Sequence, residues 1–376
     1  MTKISTLRPH RIVHILVSLQ TGGAERMAIA LAEQQRLAGH SVEVWSMTGS
    51  GPCEDLAKRA GLSVRCFGQK KGFQLSIVKD MIVALRESRI QVLHTHNPMP
   101  HYYAAAAKLF AGRNILLHTR HNMGDDLANP TRAFVFRLTM QVTKAAVFVC
   151  QAARNKLVPT GVIPERKAKV VPNGIDLQQY RHATEQTKAQ FWTSLKREVP
   201  SLVFGSVGRL SEVKNHPMMI EAFALALPKL PTDSRLLLAG DGPSREKIEK
   251  LIFERRLEKH VIVLGERSDI PFVLGGMDVF LQSSVSEAYS LALLEAAASG
   301  LPCIASNVGG NSEIIQEGVT GFLVAKDDIE AFGALLVKLG GNRDLLNTMG
   351  QAAYVWAQKF ASLEQMYDKY QSIYFD

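Results

Sequence analysis

The chain has 376 residues, 46% hydrophobic and 21% charged, which is too long for one ordinary core and has the composition of a soluble globular protein of two domains. Its four cysteines, Cys53, Cys66, Cys150 and Cys303, lie far apart with no CxxC pair. That spacing excludes a zinc site or disulfide framework and reads as small buried hydrophobes in a reducing cytoplasm. A formal charge of +9 suits phosphorylated small molecules or anionic membrane faces. Nucleic acid is not expected, because no zinc finger, basic-plus-heptad region or aromatic RNA-binding signature is present. An excess spread over the surface with no specific partner stays open as the plainer explanation.

The N-terminal "MTKISTLRPHRIVHILVSLQTGG" holds one short apolar run followed by Gly-Gly. It reads as neither a signal peptide nor a spanning segment. Through the first half, "RIVHILV", "SVEVWSM", "LSVRCF", "IQVLHTH", "NILLHTR" and "AAVFVC" alternate with stretches of helical period. The series restarts after residue 200 with "LVFGSVGRL", "SRLLLAGDG", "HVIVLGE", "MDVFLQSS", "LPCIASNVGG" and "GFLV". Continuous apolar strands spaced by helices predict parallel sheets covered on both faces, here two doubly wound halves. The polar "RHATEQTKAQFWTSLKREVP" marks the seam, which divides the chain into 1–185 and 186–359, with a terminal helix over 360–376. In such sheets ligands gather at the carboxyl ends of the strands, so the loops there are the places to look.

After the first strand, "TGGAER" offers Gly22 and Gly23 before a helix N-terminus. It reads as an anion cradle or as a plain tight turn. His94 and His96 share one strand face, and His118, His121, Asp125 and Asp126 follow the next strand. These are core histidines or a metal set, and His121 with Asn122 is placed to hydrogen-bond a sugar hydroxyl. The basic and apolar "RAFVFRLTMQVTKAA" (Arg132, Phe134, Phe136, Arg137, Lys144) suits either an anionic membrane surface or an amphipathic helix packed on the core.

In the second half, "SVGRLSEVKNH" puts Gly208, Arg209 and Lys214 in one strand-to-helix loop. A guanidinium and an ammonium converging there suit a diphosphate, unless both are ordinary solvated cations. "AGDGP" reads as a structural turn, and the backbone of "GERSDIP" around Arg267–Ile270 as a surface for a planar base. "SEAYSLALLEAAASG" sets Glu287 and Glu295 against an apolar segment, and a buried carboxylate needs a partner. On one continuous helix the two are offset by about 80°. With a helix starting near Ser290, Glu287 lies in the loop and both can address one ligand. Amides near Tyr289–Leu291 then add anion-binding capacity.

Six of these motifs fall in a recognisable order: "TGGAE", "VPNGID" at 171–176, "VGRLSEVKNH", "LLAGDGP", Glu287 with Glu295, and "SNVGGNSEII". Across nearly the whole chain the sequence resembles the retaining glycosyltransferases of family 4. That resemblance implies a GT-B fold, two Rossmann-like parallel-sheet domains facing a central cleft. The first would bind the acceptor, the second the nucleotide-sugar donor, and the terminal helix, with a stripe of Phe360, Leu363, Met366, Tyr370 and Ile373, would cross back onto the first.

The resemblance further implies that Arg209 and Lys214 grip the donor diphosphate and replace a metal, so no metal and no cofactor is expected. Glu295 would bind the ribose, Glu287 the transferred sugar, Gly23 the phosphates, and His121 the sugar. The donor set is then Gly22, Gly23, Gly208, Arg209, Lys214, Arg267, Ile270, Glu287, Ala288, Tyr289, Ser290, Leu291 and Glu295, with Arg209, Lys214, Glu287 and His121 closest to the chemistry; acceptor-binding residues are not identified. Many relatives carry glycine where Ala288 and Ser290 stand, and aspartate where Asn122 stands, which puts the amide contacts to the sugar in doubt. Expected partners are a nucleotide sugar, UDP before GDP, and a glycan or lipid-linked acceptor of bacterial surface polysaccharide synthesis. The expected location is cytoplasmic, with peripheral contact to the inner membrane face as one option. A nucleotide-sugar 2-epimerase of similar architecture and a non-catalytic nucleotide-sugar-binding protein are the rival readings.

Overall fold

The computed structural model describes residues 9–375. The first eight residues, part of the segment read above for a targeting signal, and residue 376 lie outside them. The chain divides into two compact units: one runs up to Gly174 and takes in the segment from Leu363, and the other is Ile175–Ser362.

The first unit is built on seven parallel strands, β1 (Arg11–Leu16), β2 (Ser41–Ser46), β3 (Ser63–Cys66), β4 (Val92–His96), β5 (Ile115–Arg120), β6 (Ala145–Phe148) and β7 (Ala168–Val170). Their order is β3-β2-β1-β4-β5-β6-β7. Burial explains the unbroken apolar runs: every residue of β4 and β6 is buried, as both faces of a parallel sheet must be. The core on one side packs Val13, Ile15, Trp45, Leu93 and Leu116 against Met81, Leu85 and Tyr103. Edge strand β3 is mostly exposed, and with it Cys66, while Cys53, Cys150 and Cys303 are buried as free thiols.

The second unit holds β8 (Val203–Val207), β9 (Arg235–Ala239), β10 (Val261–Gly265), β11 (Val279–Gln282), β12 (Cys303–Ser306) and β13 (Gly321–Val324), ordered β10-β9-β8-β11-β12-β13. Phe204, Leu236, Leu238, Leu281 and Ile304 meet Phe223, Phe332 and Leu336 in its core. In each sheet the winding reverses once, between β1 and β4 and between β8 and β11. Loops leaving those strand pairs splay to opposite faces and open a crevice, the usual ligand position in such sheets.

Two helices close the chain, Arg343–Phe360 in the second unit and Leu363–Phe375 in the first. The stripe read from sequence is partly corrected. Phe360 ends the earlier helix and is 48% exposed, because the helix is interrupted at Ala361–Ser362, and Ile373 is only partly buried. Leu363, Met366, Tyr370, Gln371 and Tyr374 are the buried set of the last helix. Among the described residues no helix is long and apolar enough to cross a membrane.

Candidate active site

At the switch point of the second unit, the β8 loop is braced by the turn after β9. Gly208 N–H donates to Ala239 O (2.9 Å), Leu210 N–H to Asp241 O (3.0 Å), and Ser244 N–H to Leu210 O (2.9 Å). Gly240, at φ +147°, lies so close that a Cβ there would stand 1.9 Å from the Gly208 carbonyl oxygen. "AGDGP" is therefore a structural brace that shapes the neighbouring loop.

A second set of bonds ties the β11 loop to the same place. Ser283 Oγ donates to the carbonyls of Lys214 (3.0 Å) and Asn215 (2.8 Å), and Val285 N–H to Val213 O (2.8 Å). This brings Lys214 Nζ to 2.5 Å from Glu287 Oε1, which also accepts from Ser284 Oγ at 2.7 Å. Lys214 and Glu287 are 28% and 12% exposed, so the pair is partly shielded from water. Arg209 is exposed and has no hydrogen bond or ion pair among the described residues. Glu287 balances Lys214, and Glu212 of the same loop is drawn to Lys247 at 3.3 Å, so Arg209 keeps an unbalanced positive charge that favours an anionic ligand.

Helix Leu291–Ala298 starts just after Ser290. Glu287 thus lies in the loop, and Glu295, 3% exposed, in the second helical turn. Ser290 caps this helix: its Oγ accepts from Leu293 N–H (3.3 Å) and donates to Gln282 Oε1 (2.7 Å). Its φ of −75° needs no glycine, and Ala288 is not among the residues of positive φ. Ala288 and Tyr289 are buried, and the Ala288 carbonyl accepts from Gly310 N–H (2.9 Å), so the turn after β12 supports the "AYS" segment. Leu291 is partly exposed at the helix start. Arg267 is held by Asp269 through two bonds of 2.8 and 2.6 Å, and the buried Ile270 begins the short helix Ile270–Leu274.

In the first unit, Gly22 precedes the 15-residue helix Gly23–Leu37, whose N-terminus has no side-chain cap. The Glu25 carboxyl beside Gly22 is raised by desolvation. His121 follows β5, its N–H donating to Asn97 Oδ1 (3.2 Å). Asn122 Oδ1 accepts from Arg120 Nη2 (3.1 Å) and Gly124 N–H (3.0 Å), so this asparagine stabilises its own loop. The fully buried Arg120 pairs with Asp126, and Lys156 with Asp125. These carboxylates are thus engaged by cations.

His14, His94 and His96 bring three ring nitrogens within 4.8 Å of one another, a spacing that could hold a metal ion. Each of the six nitrogens on these rings, however, has a hydrogen-bond partner at 2.7–2.9 Å. Desolvation by burial lowers His14 to about 4, and His94 and His96 well below the ordinary range. The set is a neutral hydrogen-bonded cluster. Sequence reading missed His14, Gln35, Tyr370 and Tyr374 in it; the one available signal was a histidine inside an apolar strand. His118 packs with His101 against Phe136.

Helix Pro130–Thr139 buries only Phe136, over which Arg120 sits at 5.3 Å from the ring centroid. Phe134, Val135 and Leu138 are 64%, 40% and 55% exposed, alongside exposed Arg132 and Arg137. The core-packed alternative for this helix accounts for Phe136 alone.

Two doubly wound parallel sheets, each with loops gathered at its switch point, define an α/β protein of two Rossmann-like units. Residues 189–356 match the family described as "Glycosyl transferases group 1", and residues 21–179 match "Glycosyltransferase Family 4". An Escherichia coli UDP-Gal:alpha-D-GlcNAc-diphosphoundecaprenol alpha-1,3-galactosyltransferase is 27% identical over 99% of this chain and 98% of that protein. A Bacillus anthracis N-acetyl-alpha-D-glucosaminyl L-malate synthase is 27% identical over 81% of this chain and 79% of its own length. Among solved structures, Anabaena HepE in complex with UDP superposes with a TM-score of 0.85 at 22% identity, covering 96% of this chain and 98% of that one. The chain belongs to the group 1 glycosyltransferases of family 4 type, with the GT-B fold.

Proposed function

We propose that the protein transfers a sugar from a UDP-sugar to a glycan or lipid-linked acceptor, with retention at the anomeric carbon and without a metal. The observation that carries this reading is the β8–β11 switch point. There Arg209 is unpaired among the described residues, and Lys214 bonds Glu287 at 2.5 Å. The galactosyltransferase relative, named for a UDP-sugar donor and a diphosphoundecaprenol acceptor, supports the donor and acceptor classes.

The chemistry follows from charge. As the bond from C1 of the sugar to the diphosphate breaks, its electron pair passes to the phosphate oxygen. Arg209 and Lys214 stabilise that developing charge, in place of a divalent ion. The acceptor oxygen bonds to C1, and its proton passes to the departing phosphate oxygen. Retention puts attack and departure on one face of the sugar. Glu287 accepts hydrogen bonds from the sugar, Glu295 from the ribose, and His121 contacts the sugar. Gly22, Gly23, Gly208 and the amides of Ala288–Leu291 approach the phosphates and sugar, while the backbone of Arg267–Ile270 meets the base.

Helix Pro130–Thr139 is assigned to an anionic membrane surface, where Phe134, Val135 and Leu138 enter the interface between Arg132 and Arg137. A membrane-facing helix would bring a lipid-linked acceptor to the enzyme.

Incubation with UDP-sugars, candidate acceptors and excess chelator tests the reading. Mass spectrometry should show glycosylated acceptor, and anomeric NMR couplings should match the donor configuration. An epimerised donor would point to the epimerase instead, and UDP-sugar binding without turnover to a binding protein. Loss of transfer restored by magnesium would overturn the metal-free step.

A further inference from the structure

An unbroken chain of buried hydrogen bonds joins the C-terminal helix to His121. From Gln35, one arm runs through Tyr374 OH (3.1 Å), His94 Nδ1 (2.7 Å), then from His94 Nε2 to Thr119 Oγ1 (2.7 Å) and Tyr370 OH (3.0 Å). The other arm runs from Gln35 Oε1 to His14 Nε2 (2.8 Å), from His14 Nδ1 to His96 Nε2 (2.9 Å), and from His96 Nδ1 to His121 Nε2 (2.9 Å). All members but His121 are buried.

A neutral imidazole has one N–H and one lone pair, so the direction of any one link dictates the next. Gln35 presents its oxygen to His14, which therefore donates from Nε2 and accepts at Nδ1. His96 must then donate from Nε2 and accept at Nδ1, and His121 donates inward from Nε2. What remains outward is the bare Nδ1 of His121, which has no hydrogen-bond partner among the described residues. On the other arm the Gln35 amide donates to Tyr374, Tyr374 to His94, His94 to Thr119 and Thr119 to Tyr370, with no conflict at any link. Desolvation holds His121 at about 3, so the four rings stay neutral at neutral pH.

We propose that this chain fixes the tautomer and ring plane of His121, so that it meets its ligand as a hydrogen-bond acceptor at Nδ1. Only the ligand's identity, a hydroxyl of the transferred sugar, rests on the glycosyl-transfer reading; the tautomer does not. His14, Gln35, His94, His96 and Tyr374 are positioning residues that act through His121. A site of this polarity selects a hydroxyl or amide donor on the ligand and rejects a group that can only accept.

Two-bond proton–nitrogen NMR of the full chain with labelled histidine reads the tautomer directly. His121 should show a protonated Nε2 and a bare Nδ1, unchanged from pH 6 to 8. His14→Leu removes a link far from the ligand. It should leave His121 exchanging between tautomers and lower kcat/KM for sugar transfer about tenfold, with UDP affinity within about twofold of wild type. His14→Asn, whose amide oxygen can stand in for Nδ1 and accept from His96, should restore both the tautomer and the rate. If neither variant folds, the wild-type spectrum still decides. A His121 that carries its proton on Nδ1, titrates between pH 6 and 8, or shows metal-bound nitrogens overturns the proposal. The stated tautomer in a protein that transfers no sugar upholds the chain and overturns the transfer reading alone.

Discussion

Glu287 is the residue on which two demands meet, since its Oε1 accepts one hydrogen bond from Ser284 and one from Lys214. Changing it to Gln keeps the size and removes the charge. Glu287→Gln should lower kcat/KM for sugar transfer by roughly tenfold to a hundredfold, the worth of one charged hydrogen bond, while UDP affinity changes by no more than a few-fold. Steady-state kinetics beside calorimetry separates the two effects, and an equal loss of UDP binding would move Glu287 from the sugar to the diphosphate. Both glutamates were visible in the sequence, because a carboxylate in an apolar run asks for a partner. The partner was not visible: Lys214 and Glu287 are 73 positions apart and meet only because β8 neighbours β11. In "EAYS", Ser290 serves as a helix cap with an ordinary backbone that needs no glycine. His14 stayed hidden because a neutral, fully bonded imidazole occupies a strand position much as an apolar side chain does.

At the level of elements, twelve apolar runs were legible and all twelve hold strands, because parallel strands buried on both faces cannot carry alternating polarity; the exposed edge strand β3 is the exception to that cause. The missed strand, β7, has three residues at a sheet edge, too short for any periodicity to register. Turn chemistry was legible at "AGDGP", and its structural reading has a sharp consequence. Gly240→Ala would drive a Cβ against the Gly208 carbonyl, at a φ that L-residues rarely adopt. It should cost about 2–4 kcal/mol of stability. Thermal or urea unfolding will check this, and a variant within about 0.5 kcal/mol of wild type would show that the loop yields. Helix Pro130–Thr139 left two readings open because its sequence carries apolar residues on more than one side. Its exposed Phe134 and Leu138 give the membrane reading a test. The protein should sediment with anionic vesicles at low salt and be released by added salt. Phe134→Asp with Leu138→Asp should abolish the binding, and failure to bind at low salt would remove the membrane from the account.

For the molecule as a whole, the seam read at residue 185 and the unit boundary at Gly174–Ile175 differ by about ten positions. The boundary falls inside "VPNGID", a motif that composition alone does not mark as a divide. The two units also differ in how steeply they should respond to acid, since the second holds one strongly depressed histidine, His216, lowered by desolvation to about 4. His14, His94, His96, His101, His118 and His121 all lie in the first unit and all are depressed by desolvation, His14 to about 4 and His101 and His121 to about 3. Below the unfolded value near 6.5 the unfolded chain takes up protons that the folded unit refuses. Stability is therefore full above that value and falls as pH drops toward the folded values, by up to about 1.4 kcal/mol per pH unit for each histidine. Urea midpoints should be level above pH 7 and drop steeply from 6.5 to 5. Buried Trp45 in the first unit should report the change before Trp192 in the second, and a flat profile would mean these rings protonate without unfolding. The central claim, that the second unit grips a nucleoside diphosphate with Arg209 and Lys214 and without a metal, meets its most direct test in calorimetric titration of UDP into chelator-treated protein and its Lys214→Ala variant. One UDP should bind per chain, and the variant should bind about tenfold to a hundredfold more weakly; absent binding, or binding indifferent to Lys214, would contradict the account.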